Sequence, residues 1–115
     1  MQLTLHNDGH FFTVHKDAGK KMINRRVTYV YYFHKIPKAY SGGDLLLFDT
    51  NQKEDTYSNN YTRIITENNM LILFPSFYYH QVTPVNQKEQ DFRKGRFTIN
   101  GWFHGEPFSN SDYSK

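Results

Sequence analysis

Short runs of strand-type composition recur along this chain, some with polar and apolar residues alternating with a period of two, and no segment sustains a 3.6-residue period. Successive side chains of a strand point to opposite faces, so this alternation predicts half-buried β-strands. Strands are expected over residues 2–7, 10–16, 26–34, 43–49, 62–66, 70–75, 80–85 and 96–104. Polar or Gly/Pro/Asn-rich turns separate them: Asn7-Asp8-Gly9, the stretches 37–43 and 50–61, Glu67-Asn68-Asn69, and the stretch 86–95. Eight short strands joined by such turns predict an all-β barrel or jelly roll without a long helix. Residues 1–105 read as one domain, and 106–115 as a polar tail expected to fray.

Two strands show what their faces are for. In Arg96-Phe97-Thr98-Ile99-Asn100-Gly101-Trp102-Phe103, one face carries Arg96, Thr98, Asn100 and Trp102, and the other Phe97, Ile99 and Phe103. In Val27-Thr28-Tyr29-Val30-Tyr31-Tyr32-Phe33, one face carries Thr28, Val30 and Tyr32, and the other Tyr29, Tyr31 and Phe33. The mixed polar sets are expected to line a cavity, and the aromatic sets to need cover from outside. An uncovered apolar face of that size is unusual for a monomer. Either a second copy of the chain is expected to cover it, or an N-terminal region absent from this sequence, with loops such as 51–61 as the alternative.

Composition narrows the class. The chain has 115 residues, enough for one small core, and no cysteine, so disulfide frameworks and thiolate metal sites are excluded. The formal charge is +3 and the pI about 9.1, but the cations are scattered in Lys20-Lys21, Arg25-Arg26 and Arg93-Lys94. Without a basic stripe interleaved with aromatics, no nucleic-acid partner is expected. No run reaches the length of a membrane span and residues 1–20 carry no signal-peptide pattern; no membrane partner and a cytoplasmic location are expected.

The candidate chemistry starts at His15-Lys16-Asp17. Residues two apart share one face of a strand, so both side chains can reach one metal while Lys16 points away. A third ligand must come from a distant strand, and His80 in Tyr79-His80-Gln81-Val82 is suitably placed. Two histidines and one carboxylate form a minimal non-haem Fe(II) site with open positions. His6, His10, His34 and His104 are not expected to be ligands. Arg96 is the candidate anion clamp, with Arg93 as its competitor in a loop. Gly42-Gly43 precedes a strand instead of opening a helix, so it reads as a turn and not a phosphate loop.

The ordered set Asn7 to Asp17, Arg26 to Tyr32, Ser41-Gly42-Gly43-Asp44-Leu45, Phe74-Pro75, His80-Gln81-Val82-Thr83-Pro84-Val85 and Gly95 to Gly105 resembles the 2-oxoglutarate/Fe(II)-dependent oxygenases of the prolyl 4-hydroxylase type. The ending Asn100-Gly101-Trp102-Phe103-His104-Gly105 is most similar to the ribosomal-protein prolyl hydroxylases and their bacterial relatives. The resemblance implies a double-stranded β-helix, here lacking the usual N-terminal supporting helices. It implies Fe(II) on His15, Asp17 and His80, and 2-oxoglutarate with its distal carboxylate on Arg96 and Tyr32. Thr28, Val82, Asn100 and Trp102 would line the cosubstrate pocket. O2 as co-substrate and ascorbate as an accessory follow from the same likeness. Many relatives carry a tyrosine about nine positions before the first iron ligand, where this chain has His6. Asp17 occupies the position that halogenating relatives leave open, which favours hydroxylation. Three functions follow: hydroxylation of a prolyl residue in a protein or peptide, the same chemistry on a small molecule such as a free amino acid, or a non-catalytic jelly-roll binding module. Loops 16–25 and 51–61 are where substrate choice is expected to lie.

Overall fold

Ten strands build the molecule in the computed structural model, which describes residues 1–19 and 24–105. They are β1 (Gln2–His6), β2 (Phe12–His15), β3 (Arg25–Phe33), β4 (Ser41–Gly42), β5 (Leu45–Asn51), β6 (Thr56–Ile64), β7 (Met70–Pro75), β8 (His80–Val82), β9 (Val85–Asn86) and β10 (Arg96–His104). Among the described residues the only helical element is a single 3-10 turn, Phe92–Lys94. No described helix is long and apolar enough to cross a membrane. The tail 106–115 and part of the loop between β2 and β3 lie outside the described residues.

The strands form two four-stranded antiparallel sheets. One runs β1-β10-β3-β7 and the other β2-β8-β5-β6, with a small β4-β9 pair beside them. This is the jelly-roll arrangement that the alternation predicts. Leu45, Phe74 and Val82 form the buried apolar centre, with Val30, Leu47, Ile64, Ile72 and Tyr78 packed against it. Thr28, Val30 and Tyr32 of β3 and Arg96, Thr98, Asn100 and Trp102 of β10 face inward onto one cavity.

The outer face of the first sheet carries the aromatic sets. Phe33 stacks on Phe97 at 5.2 Å and on Tyr31 at 6.1 Å, and Tyr29 lies 5.3 Å from Phe103. Tyr29, Tyr31, Phe33 and Phe97 are half-buried, whereas Phe103 and the neighbouring Leu3, Leu71 and Leu73 stay more than half exposed. The stretch 51–61 does not cover this face: most of it pairs with β5 in the other sheet as part of β6.

Local physics explains where the strands depart from expectation. The expected strand 80–85 divides into β8 and β9 around Thr83-Pro84, because Pro84 has no N–H to donate to a ladder. The expected turn 50–61 shrinks to about four residues, since Asp55 takes a positive φ of 54° and closes a hairpin from β5 to β6. Gly43, at φ 67°, has a different task. A Cβ there would lie 2.8 Å from Arg96 Nε and 2.9 Å from Val85, so only glycine leaves room for the guanidinium.

Candidate metal and anion site

His15, Asp17 and His80 converge at one end of the cavity, their ligand atoms all within 4.8 Å of one another. His15 Nε2 lies 3.6 Å and His80 Nε2 3.5 Å from Asp17 Oδ1. The convergence is built by the β2–β8 ladder, which sets His15 opposite His80. The strand ends there, contrary to the expectation that it continues through residue 16. The Asp17 and Ala18 N–H groups turn instead to the Ser76 carbonyl, each at 3.0 Å, and swing the carboxylate toward both rings. Lys16 points away, as two-residue alternation requires, and pairs with Asp55 at 2.6 Å.

Both histidines are oriented by the same local device. His15 Nδ1 donates to the Thr13 carbonyl at 2.8 Å, and His80 Nδ1 to the Tyr78 carbonyl at 3.0 Å. A carbonyl can only accept, so each neutral ring keeps its proton on Nδ1 and presents the Nε2 lone pair to the cluster. Burial holds the His80 imidazolium disfavoured, against the opposite pull of Asp17 and the Tyr78 carbonyl. On the carboxylate, Oδ2 is engaged by Thr28 Oγ1 at 2.8 Å and Trp102 Nε1 at 3.1 Å. Thr28 in turn shares a hydrogen bond with the buried Ser76 hydroxyl at 2.9 Å. The Arg25 guanidinium lies over the Trp102 ring, 3.5 Å from its centroid. Oδ1 and two lone pairs are thereby left facing each other, an arrangement that suits a divalent cation.

The other end is positive. Arg96 is 2% exposed, and burial lowers its pKa from the ordinary arginine value. Among the described residues no carboxylate pairs with it: Asp44, the acid nearest in influence, is taken by Arg63 at 2.6 Å. Arg96 Nη2 donates to His6 Nδ1, Nε has no partner, and the Tyr32 ring lies 5.2 Å from Cζ. Burial pushes the Tyr32 phenol up to about 12, so it stays a hydrogen-bond donor. A buried cation without a counter-ion is costly unless a ligand supplies the anion. Arg93, the competitor, is exposed and bonded to Asp91.

The cavity between these ends holds about 320 Å³. It is lined by all nine residues named from the sequence: His15, Asp17, His80, Arg96, Tyr32, Thr28, Val82, Asn100 and Trp102. Thr28 and Trp102, expected as cosubstrate contacts, also hold the metal-side carboxylate. Sequence reasoning missed His6 and Ser76 as parts of the site. The donor set fits a divalent metal, and the uncompensated Arg96 fits the carboxylate of a dicarboxylic ligand such as 2-oxoglutarate.

Known proteins bear on this geometry. A PKHD-type hydroxylase of Synechocystis sp., itself uncharacterised, is 45% identical over 105 residues, covering 89% of this chain and 35% of that protein. This chain thus spans about a third of that relative's length. The fold is similar to a Pseudomonas putida prolyl-4-hydroxylase, with TM-score 0.64 and 22% identity over 91% of this chain and 51% of that one. It is also similar to a Trichoplax adhaerens prolyl hydroxylase in complex with a hypoxia inducible factor peptide fragment, with TM-score 0.65 and 23% identity over 89% and 41%. At such identities these likenesses establish the jelly-roll fold. The sequence itself carries the assignment further: residues 1–104 match the 2OG-Fe(II) oxygenase superfamily, and the chain belongs to that family.

Proposed function

We propose that this chain is the catalytic domain of an Fe(II)- and 2-oxoglutarate-dependent dioxygenase that hydroxylates a prolyl residue of a protein or peptide. The observation that carries the reading is the polarity of one cavity. A His/Asp/His cluster stands at one end, and at the other a buried arginine that pairs with no carboxylate among the described residues. His15, Asp17 and His80 would hold the metal, and Arg96 with Tyr32 the distal carboxylate. Bound together, metal and cosubstrate supply an oxidation in which 2-oxoglutarate, O2 and a C–H group give succinate, CO2 and a C–OH group.

The protein's own part is positioning. The Thr13 and Tyr78 carbonyls fix the ring tautomers, and Thr28 with Trp102 fixes the carboxylate. Leu45, Phe74 and Val82 give the cavity an apolar wall. The His/Asp/His cluster and the buried Arg96 charge favour catalysis over a binding module. The prolyl part is supported by the names of the similar proteins: a PKHD-type hydroxylase and two prolyl hydroxylases, one of them peptide-bound. Ascorbate as accessory and a cytoplasmic location complete the reading; a chain without cysteine suits a reducing compartment.

The test is CO2 release from 2-oxoglutarate under Fe(II) and O2. Proline-containing peptides are expected to stimulate it, with product heavier by one oxygen on proline. Stimulation by free amino acids and not by any peptide would shift the substrate class to small molecules. No turnover at all with metal bound would leave a binding module.

A further inference from the structure

We propose that His6 is a positioning residue for the anion end of the cavity: its neutral imidazole fixes the Arg96 guanidinium without cancelling its charge, and its second ring nitrogen donates to the carboxylate that Arg96 takes. This deepens the cosubstrate reading above and rests on it.

The antiparallel register of β1 and β10 sets His6 opposite Arg96. Both are buried, at 6% and 2% exposure, and both line the cavity. Arg96 Nη2 donates to His6 Nδ1. The His6 ring is itself held in place, with Phe12 at 5.1 Å and the His10 ring edge-on at 6.3 Å. A guanidinium cannot accept a hydrogen bond, so the contact also fixes the tautomer. Nδ1 is bare and Nε2 carries the proton. Burial, Arg96 and His10 hold the His6 pKa down to about 4, so the ring is neutral at ordinary pH.

Three kinds of residue could stand at position 6, and they differ in what they do to Arg96. An acid would pair with the guanidinium and remove the positive charge that a ligand carboxylate needs. An apolar side chain would leave a buried N–H without a partner and the guanidinium free to rotate. A neutral acceptor satisfies the donor and leaves the charge for the ligand. Imidazole is such an acceptor, and it adds an N–H that a carboxylate oxygen can use. The site thus has a donor beyond Arg96 and Tyr32.

Calorimetric titrations of the Mn(II)-loaded chain test this with two ligands. 2-Oxoglutarate reaches both ends of the cavity, whereas oxalate chelates metal but has no distal carboxylate. His6→Phe is expected to weaken 2-oxoglutarate by about tenfold, the effect of one unpaired buried donor, while oxalate binds as before. His6→Gln, whose amide both accepts and donates, should stay within about threefold of the parent. His6→Glu should weaken 2-oxoglutarate more than His6→Phe does. Parental 2-oxoglutarate affinity in His6→Phe would overturn the proposal, as would equal losses of both ligands in the Phe and Gln variants. If His6→Phe fails to fold, His6→Glu against His6→Gln decides, and equal 2-oxoglutarate affinity in those two overturns it. Arg96→Ala separates the two levels. Loss of 2-oxoglutarate in Arg96→Ala but not in His6→Phe overturns only the role of His6. Unchanged affinity in Arg96→Ala overturns the cosubstrate reading itself.

Discussion

The two ends of the cavity are opposites in charge and alike in construction. At one end, a carboxylate oxygen and two imidazole lone pairs face one another. At the other end, a guanidinium is buried, and among the described residues no carboxylate pairs with it. Each group is fixed by neutral partners: backbone carbonyls, a threonine hydroxyl and an indole on one side, an imidazole on the other. Neutral partners fix geometry without discharging the group they hold. A fold that left both ends uncompensated for stability alone would be poorer than one with apolar residues there. The difference between the ends is what the proposed function calls for: a cation would sit at one and a carboxylate at the other.

The largest effects should come from removing that polarity at its source. Asp17→Ala and His80→Ala are expected to abolish stoichiometric metal binding, measured by Mn(II) titration, and with it 2-oxoglutarate turnover. Full turnover in His80→Ala would separate the cluster from the chemistry. Next comes Arg96→Ala, which should leave metal binding intact and raise the 2-oxoglutarate KM strongly. Losing a charge-assisted bidentate contact costs on the order of 2–5 kcal/mol. An unchanged KM would mean that the two ends do not share a ligand. Smaller effects are expected from the neutral partners. Thr28→Val removes one of two donors to Asp17 Oδ2 and keeps the side-chain shape. It should weaken metal affinity by about tenfold, the lower end for residues that orient a ligand. Trp102→Phe should act in the same direction. Parental affinity in both would show that Asp17 needs no support.

How much of this could be read in the sequence depends on whether the deciding contact is local. His15 and Asp17 are two residues apart, and strand periodicity alone puts them on one side. The cavity faces of β3 and β10 follow from the same alternation, and the cavity lining bears these sets out. His6 was visible only as an unexpected histidine, because its meaning comes from Arg96, 90 positions away. Ser76 was equally hidden, since its carbonyl and hydroxyl act through Asp17 and Thr28 on other elements. The sequence of β6 reads largely as a loop for a related reason. Its sequence Thr56-Tyr57-Ser58-Asn59-Asn60-Tyr61 is exposed and Asn-rich, and pairing with β5 decides its conformation more than composition does.

The smallest effect concerns protonation at the positive end. His6 has a folded pKa of about 4 against an ordinary 6.5, so the unfolded chain binds the proton more readily. Its contribution to stability is full above about 6.5 and is lost as pH falls toward about 4. Thermal melts between these pH values should show the parent losing more stability than His6→Gln. Identical slopes would remove His6 from the acid response.

The central claim is that one ligand joins the two ends. Calorimetry of 2-oxoglutarate binding to the chain with and without Mn(II) tests it most directly. One molecule per chain is expected to bind, with affinity that needs both Mn(II) and Arg96, so that removing either loses most of it. Binding of equal strength without metal, or with metal but without Arg96, would contradict the account.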